Sequence, residues 1–149
     1  MQYGEGKLGR IFALRLEEGD RLPDTLEAFC REHRILSGMA IYVGGAHDGS
    51  KVVVGPEAGR TDAIIPIIYT LMGIQEVLAV GTIFPNEAGE PSLHMHGASG
   101  REGGATVGCT RAGVEVWLVG EVIILEILGA GGLRRKDPAT GFQLLGFPK

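Results

Sequence analysis

The sequence predicts an α+β fold, a mainly antiparallel β-sheet with one main helix packed on it. Three observations carry this. Twenty-five glycines are scattered among β-branched runs, the composition of many strands joined by tight turns. Apolar residues alternate with period two along several separate stretches. Helical spacing shows in one stretch only, residues 20–35. A chain of 149 residues suits one domain, 1–149, with a core that needs no disulfide support.

Taken in order, residues 9–16 (GRIFALRL) alternate and read as the first strand. Residues 20–35 form the helix: Pro23 suits its first turn, Asp20 or Asp24 can cap its amides, and Leu26, Phe29, Cys30 and His33 fall at i, i+3, i+4 and i+7. Cys30 then faces the core and His33 sits near the helix C-terminus, and neither is assigned a function. Residues 37–45 and 50–54 are strands joined by a turn at His47–Asp48–Gly49, which leaves His47 in solvent. Residues 63–69 (AIIPIIY) contain Pro66, which donates no ladder hydrogen bond, so this is an edge strand or an irregular segment. Residues 77–84 are a strand, and residues 85–91 turn the chain into the next one. Residues 114–127 are the last long strand, with Gly120 marking a bend or bulge. The tail is a loop with apolar patches at residues 142–145 and Phe147, suited to covering a sheet edge or a subunit contact. The total is six or seven strands, more apolar sheet than one helix can cover, which predicts burial in an oligomer.

Fourteen Lys and Arg against eighteen Asp and Glu give a net charge of −4, which argues against a dedicated nucleic-acid binder. The basic run Arg134–Arg135–Lys136 reads as a solvated loop. Cys30 and Cys109 make no disulfide framework and fit a reducing compartment. The start MQYGEGKLGR has no signal-peptide pattern, and Glu115, Glu121 and Glu126 interrupt the longest apolar run, residues 114–128. A soluble, cytoplasmic protein without a membrane association is expected.

Residues 91–109 (PSLHMHGASGREGGATVGC) carry the chemistry. A strand with His94 and His96 puts both imidazoles on one face and Met95 on the other. Folding the hairpin about Glu102–Gly103 sets Cys109 opposite His96. Two imidazoles and a thiol with an open fourth position suit an exchangeable or catalytic zinc ion. The turn GASGREGG lacks the Gly-Lys-Ser/Thr end of a phosphate loop, and no helix follows it. Arg101 and Glu102, beyond the hairpin's centre, face solvent. Glu121, in the last strand, either joins a polar network behind the metal ligands or faces solvent.

The chain resembles the plant and prokaryote conserved (PPC) domain in its stand-alone prokaryotic form. The resemblance covers roughly residues 8–128 and rests on GRIFALRLEEGDRLPDTLEAFCREHRILSGMAIYVGGA, LHMHGASGREGG and VGEVIILEI. It places the core at about 8–129, with a C-terminal extension at 130–149. It implies a homotrimer and, as in several prokaryotic members, zinc held by a His-x-His pair and a later histidine. His94 and His96 match the pair, while the later position falls on Cys109. Cysteine can keep the site, lose it, or shift its preference toward softer metals. Plant members carry an AT-hook that binds DNA, and no such segment exists here.

Three functions follow for comparison: a trimeric zinc-binding module that takes a small molecule or anion at the open position; a zinc enzyme in which Glu121 or Glu102 serves as base to metal-bound water; and a DNA-associated regulatory or protein-interaction domain. The first is favoured, because the chain offers no obvious fourth ligand and no convincing base beside the three ligands.

Overall fold

The computed structural model describes residues 1–58 and 64–148. In chain order the elements are β1 (Lys7–Leu16), α1 (Leu22–Glu32), β2 (Gly38–Ala46), β3 (Lys51–Pro56), β4 (Pro66–Thr70), β5 (Gln75–Pro85), β6 (Pro91–Arg101), β7 (Gly104–Cys109), a 3₁₀ turn (Thr110–Ala112), β8 (Val116–Leu128), β9 (Leu133–Lys136) and β10 (Gln143–Gly146). Eight strands form one sheet in the order β1-β8-β2-β5-β6-β7-β3-β4, and β9 and β10 pair in a second sheet. Every pairing is antiparallel. The fold class is therefore the expected one, an antiparallel sheet with one α-helix among the described residues. The ten strands exceed the six or seven expected, eight of them in the large sheet and two short ones in the tail. Among the described residues, no helix is long and apolar enough to cross a membrane.

Period-two alternation sorts the large sheet into two faces. Tyr42, Met95, Val122 and Ile124 point inward and are buried with Leu22, Leu26 and Cys30 of α1. The opposite face stays bare: Ile11, Val43, Leu78, Val80 and Ile123 are exposed, Leu78 to 62%.

α1 is shorter than residues 20–35. Its N-cap is Arg21, without a side-chain cap, and Pro23 lies in the first turn where no amide is needed. Asp20 does not cap the helix, because it accepts hydrogen bonds from the Glu17 amide and the Thr25 hydroxyl. At the other end Arg34 takes φ +55°, and the Ile35 amide turns back to the Cys30 carbonyl. A left-handed non-glycine residue leaves no sequence signal, so the periodicity ran on past it. His33 caps the helix and stacks on Phe29 with ring centroids 4.2 Å apart.

Pro66 opens β4, which lies at the sheet edge as its missing amide requires. Ala63, in the expected segment 63–69, lies outside the described residues. In β8 the register against β2 jumps from Gly120 opposite Gly44 to Trp117 opposite Gly45. Leu118 and Val119 form the bulge, just ahead of Gly120, and Leu118 adopts φ +54°. Glu18 accepts a hydrogen bond from the Leu118 amide and lies 2.6 Å from His47 Nε2. These contacts, the backbone one first, hold the Glu18 carboxyl below its usual range. His47 is thus half-buried against a carboxylate rather than free in solvent.

β1 carries a bulge of its own between Leu8 and Ile11. It turns Arg10 onto Glu126, which is buried and accepts from the Arg10 amide at 2.9 Å, from Nε at 2.8 Å and from Nη2 at 2.6 Å. Arg10's side-chain hydrogen bonds, ahead of the desolvation that opposes them, bring the Glu126 carboxyl down to about 2.

Candidate metal centre

β5 pairs β6 with Val80 opposite His96 and Thr82 opposite His94. β6 and β7 join through the two-residue turn Glu102–Gly103, at φ +53° and +81°. Positive φ at both central residues is the hairpin geometry that matches strand twist. That turn fixes the register, and Cys109 falls opposite His96.

The structure brings the three residues together: one ligand atom from each of His94, His96 and Cys109 lies within 4.8 Å of the others. The two Nε2 atoms are 3.1 Å apart, with the rings at 85°. A tetrahedral ion with Zn–N bonds of ~2.0–2.1 Å needs an N···N edge of ~3.3 Å, so the imidazole pair fits zinc as it stands. Such an ion needs an N···S edge of ~3.6 Å to the Cys109 thiolate, and the 4.8 Å limit on the group leaves that within reach of side-chain rotation. Cys109 is 3% exposed and unpaired with Cys30, whose thiol burial pushes up to about 11.

His94 is held below the ordinary histidine range. Desolvation by the atoms around its ring comes first, although one side is open to solvent, then the charges of His96, Arg134 and Arg111. A neutral ring keeps a lone pair for a metal near neutral pH.

Neither candidate glutamate reaches these ligands within the chain. Glu121 is exposed on β8, and β2 and β5 lie between it and β6, three strand spacings or ~14 Å. Glu102 is in the hairpin turn, six residues from His96 or ~20 Å along the strand. It pairs with Arg101 at 3.2 Å and is exposed.

Two arginines beside the site were not anticipated. Arg134, expected in a solvated loop, is 4% exposed in β9. It donates from Nη2 to the Thr82 carbonyl and hydroxyl at 3.0 and 2.9 Å and from Nε to the Ser92 carbonyl at 3.3 Å. The β9–β10 hairpin carries this guanidinium onto β5, and nothing in the run's composition signals a docking partner so far back in the chain. Arg111, in the 3₁₀ turn just past Cys109, lines a cleft of about 260 Å³ that His96 and Cys109 also line.

Comparison with known proteins gives this geometry a setting. The structure of a metal-containing protein from Archaeoglobus fulgidus superposes with a TM-score of 0.81 at 26% identity, covering 97% of this chain and 98% of that one. A plant- and prokaryote-conserved (PPC) protein from Pyrococcus horikoshii does so with a TM-score of 0.83 at 25% identity, covering 100% and 99%. Among curated sequences, the bifunctional protein GlmU of a Synechococcus strain is 28% identical over 142 residues, 94% of this chain. The chain spans only 21% of that relative's length. The family model of the Plants and Prokaryotes Conserved (PCC) domain matches residues 3–128, from before β1 to the end of β8, and takes in the whole eight-stranded sheet with its His-x-His strand. The chain belongs to the Plants and Prokaryotes Conserved domain family.

Proposed function

We propose that this protein is a metal-binding module that holds one zinc ion on His94, His96 and Cys109, keeps a fourth position open to a small ligand, and works as a homotrimer. The approach of the two Nε2 atoms to 3.1 Å, with the Cys109 thiol in the same group, is the observation that carries the reading. The metal-containing relative from Archaeoglobus fulgidus is consistent with it. The hairpin presents the donors, and burial shields the thiol from solvent and oxidants. Bound zinc would supply Lewis acidity at the open position.

The trimer reading rests on the bare apolar face and on the family resemblance. Ala13, Ile123, Ile41, Val80, His96 and Cys109 form one register row across the sheet, so the exposed apolar face runs up to the ligands. An apolar surface of that extent is normally covered.

A zinc enzyme is the second reading, favoured by the cleft at the ligands. Neither glutamate expected to serve as base is near, since Glu102 and Glu121 are both remote. A DNA-associated role has less support: the net charge is −4, and Arg134 of the basic run is committed to the protein interior.

Protein purified without a histidine tag should carry about one zinc per chain by elemental analysis. Cys109→His should keep the metal, whereas Cys109→Ala and His96→Ala should each lose most of it. Equal zinc in wild type and Cys109→Ala would remove Cys109 from the ligand set. Affinity should fall in acid, because protons compete for the same lone pairs.

A further inference from the structure

The cleft beside Cys109 is chemically lopsided. His96, Cys109 and Arg111 stand along part of its wall, and Val53, Val107 and Phe142 are among the hydrocarbon that makes up the rest. Arg111 supplies the one formal charge among the described lining residues. Its guanidinium carbon lies 6.0 Å from the Phe142 ring centroid, which keeps the charge at the cleft wall. Arg134, the other cation near His94, has its Nε and Nη2 committed to Ser92 and Thr82. A single fork-shaped cation next to an electrophilic centre suits a carboxylate, which accepts from Arg in two parallel hydrogen bonds. A phosphate dianion needs more donors than one guanidinium, and apolar walls oppose its desolvation. The volume, about 260 Å³, holds roughly nine water-sized groups at ~30 Å³ each, the size of a six- or seven-carbon acid.

We propose that this cleft binds a small monocarboxylate with an apolar body of about five carbons, its carboxylate shared by Arg111 and the metal and its hydrocarbon lying against Val53, Val107 and Phe142. One of the two carboxylate contacts rests on the zinc centre proposed above, and the other does not.

Calorimetric titration of the full chain, with zinc content measured on the same sample, tests this with acetate, hexanoate, hexanamide and inorganic phosphate. Each fully buried CH₂ is worth about fourfold in affinity, so hexanoate should bind at least ~20-fold tighter than acetate even with partial burial. Hexanamide, the same shape without the charge, should bind at least ~10-fold more weakly than hexanoate. Arg111→Gln should keep its zinc and lose at least ~10-fold in hexanoate affinity. Phe142→Ala should keep acetate affinity and lose much of the gain with chain length. A flat response to chain length, equal binding of the amide, an unaffected Arg111→Gln variant or tighter binding of phosphate would each overturn the assignment. A protein without zinc removes the metal reading alone: hexanoate binding that still depends on Arg111 and chain length upholds the ligand class, and its absence overturns that too.

Discussion

At the level of single residues, the meeting of His94, His96 and Cys109 was legible because its geometry is local. His94 and His96 share a face because strand side chains alternate, and Cys109 meets His96 because a two-residue turn leaves one register available. Arg111 and Arg134 were illegible for the opposite reason. One depends on the shape of a cleft and the other on a hairpin docking some fifty positions from its partner Thr82 in sequence. Glu126 shows the same limit: in sequence it only interrupts an apolar run, but in the fold it is the buried acceptor for Arg10. This pair should set an acid limit. The Glu126 carboxyl titrates at about 2 in the fold against 4.5 as the reference value. A depressed folded value means stability that is present above pH 4.5 and lost as pH falls toward 2. Glu126→Gln should therefore lower stability at neutral pH and flatten the fall between pH 4.5 and 2, read by denaturant unfolding at several pH values. An unchanged acid limb in the variant would show that other carboxylates control it.

At the level of elements, alternation located the long strands well and their ends less well. Strands β1, β2, β5 and β8 were each found within two residues at either end, since each buries one face and must alternate. The C-terminal end of α1 was missed because Arg34 stops it without a glycine. β9 and β10 were missed because four-residue strands show too little periodicity. The β8 bulge was anticipated near Gly120, and its neighbour across the ladder explains a second glycine. A Cβ on Gly44 would lie 2.7 Å from the Tyr42 hydroxyl and 2.8 Å from the Gly120 Cα. Tyr42 is fully buried and donates to the Gly45 carbonyl at 2.8 Å, so neither side can yield. Gly44→Ala should cost ~1–3 kcal/mol by overpacking, measured by chemical unfolding. A loss below ~0.5 kcal/mol would mean that the bulge shifts freely.

For the whole molecule, the sheet is unevenly covered. α1 and the neighbouring loops bury one face, and the other presents Val43, Leu78, Val80 and Ile123 to solvent. Residue patterning exposed this imbalance at once, because one helix cannot shield six or seven strands, and the large sheet has eight. The number of partners is not contained in a single chain and comes from the resemblance. Light scattering at micromolar concentration should give three chain masses. Leu78→Lys, at an exposed position in the middle of the bare face, should release monomers that keep the wild-type far-ultraviolet circular dichroism. A wild-type protein that scatters as a monomer removes the trimer.

The β6–β7 hairpin also fixes when the donors meet. Positions 94, 96 and 109 lie within one short segment closed by a two-residue turn, so their encounter needs little loop-closure entropy and none of the sheet's distant pairings. Hairpins close in ~1–10 μs, well before a sheet with β1 against β8 can complete. Zinc captured at that moment would pin the register of the central strand pair around which β5 and β3 assemble. Refolding in stopped-flow experiments should accordingly run faster with zinc than with a chelator, and His96→Ala should abolish the difference. An ion held by the incomplete chain as well would leave equilibrium stabilisation short of what the native affinity alone implies.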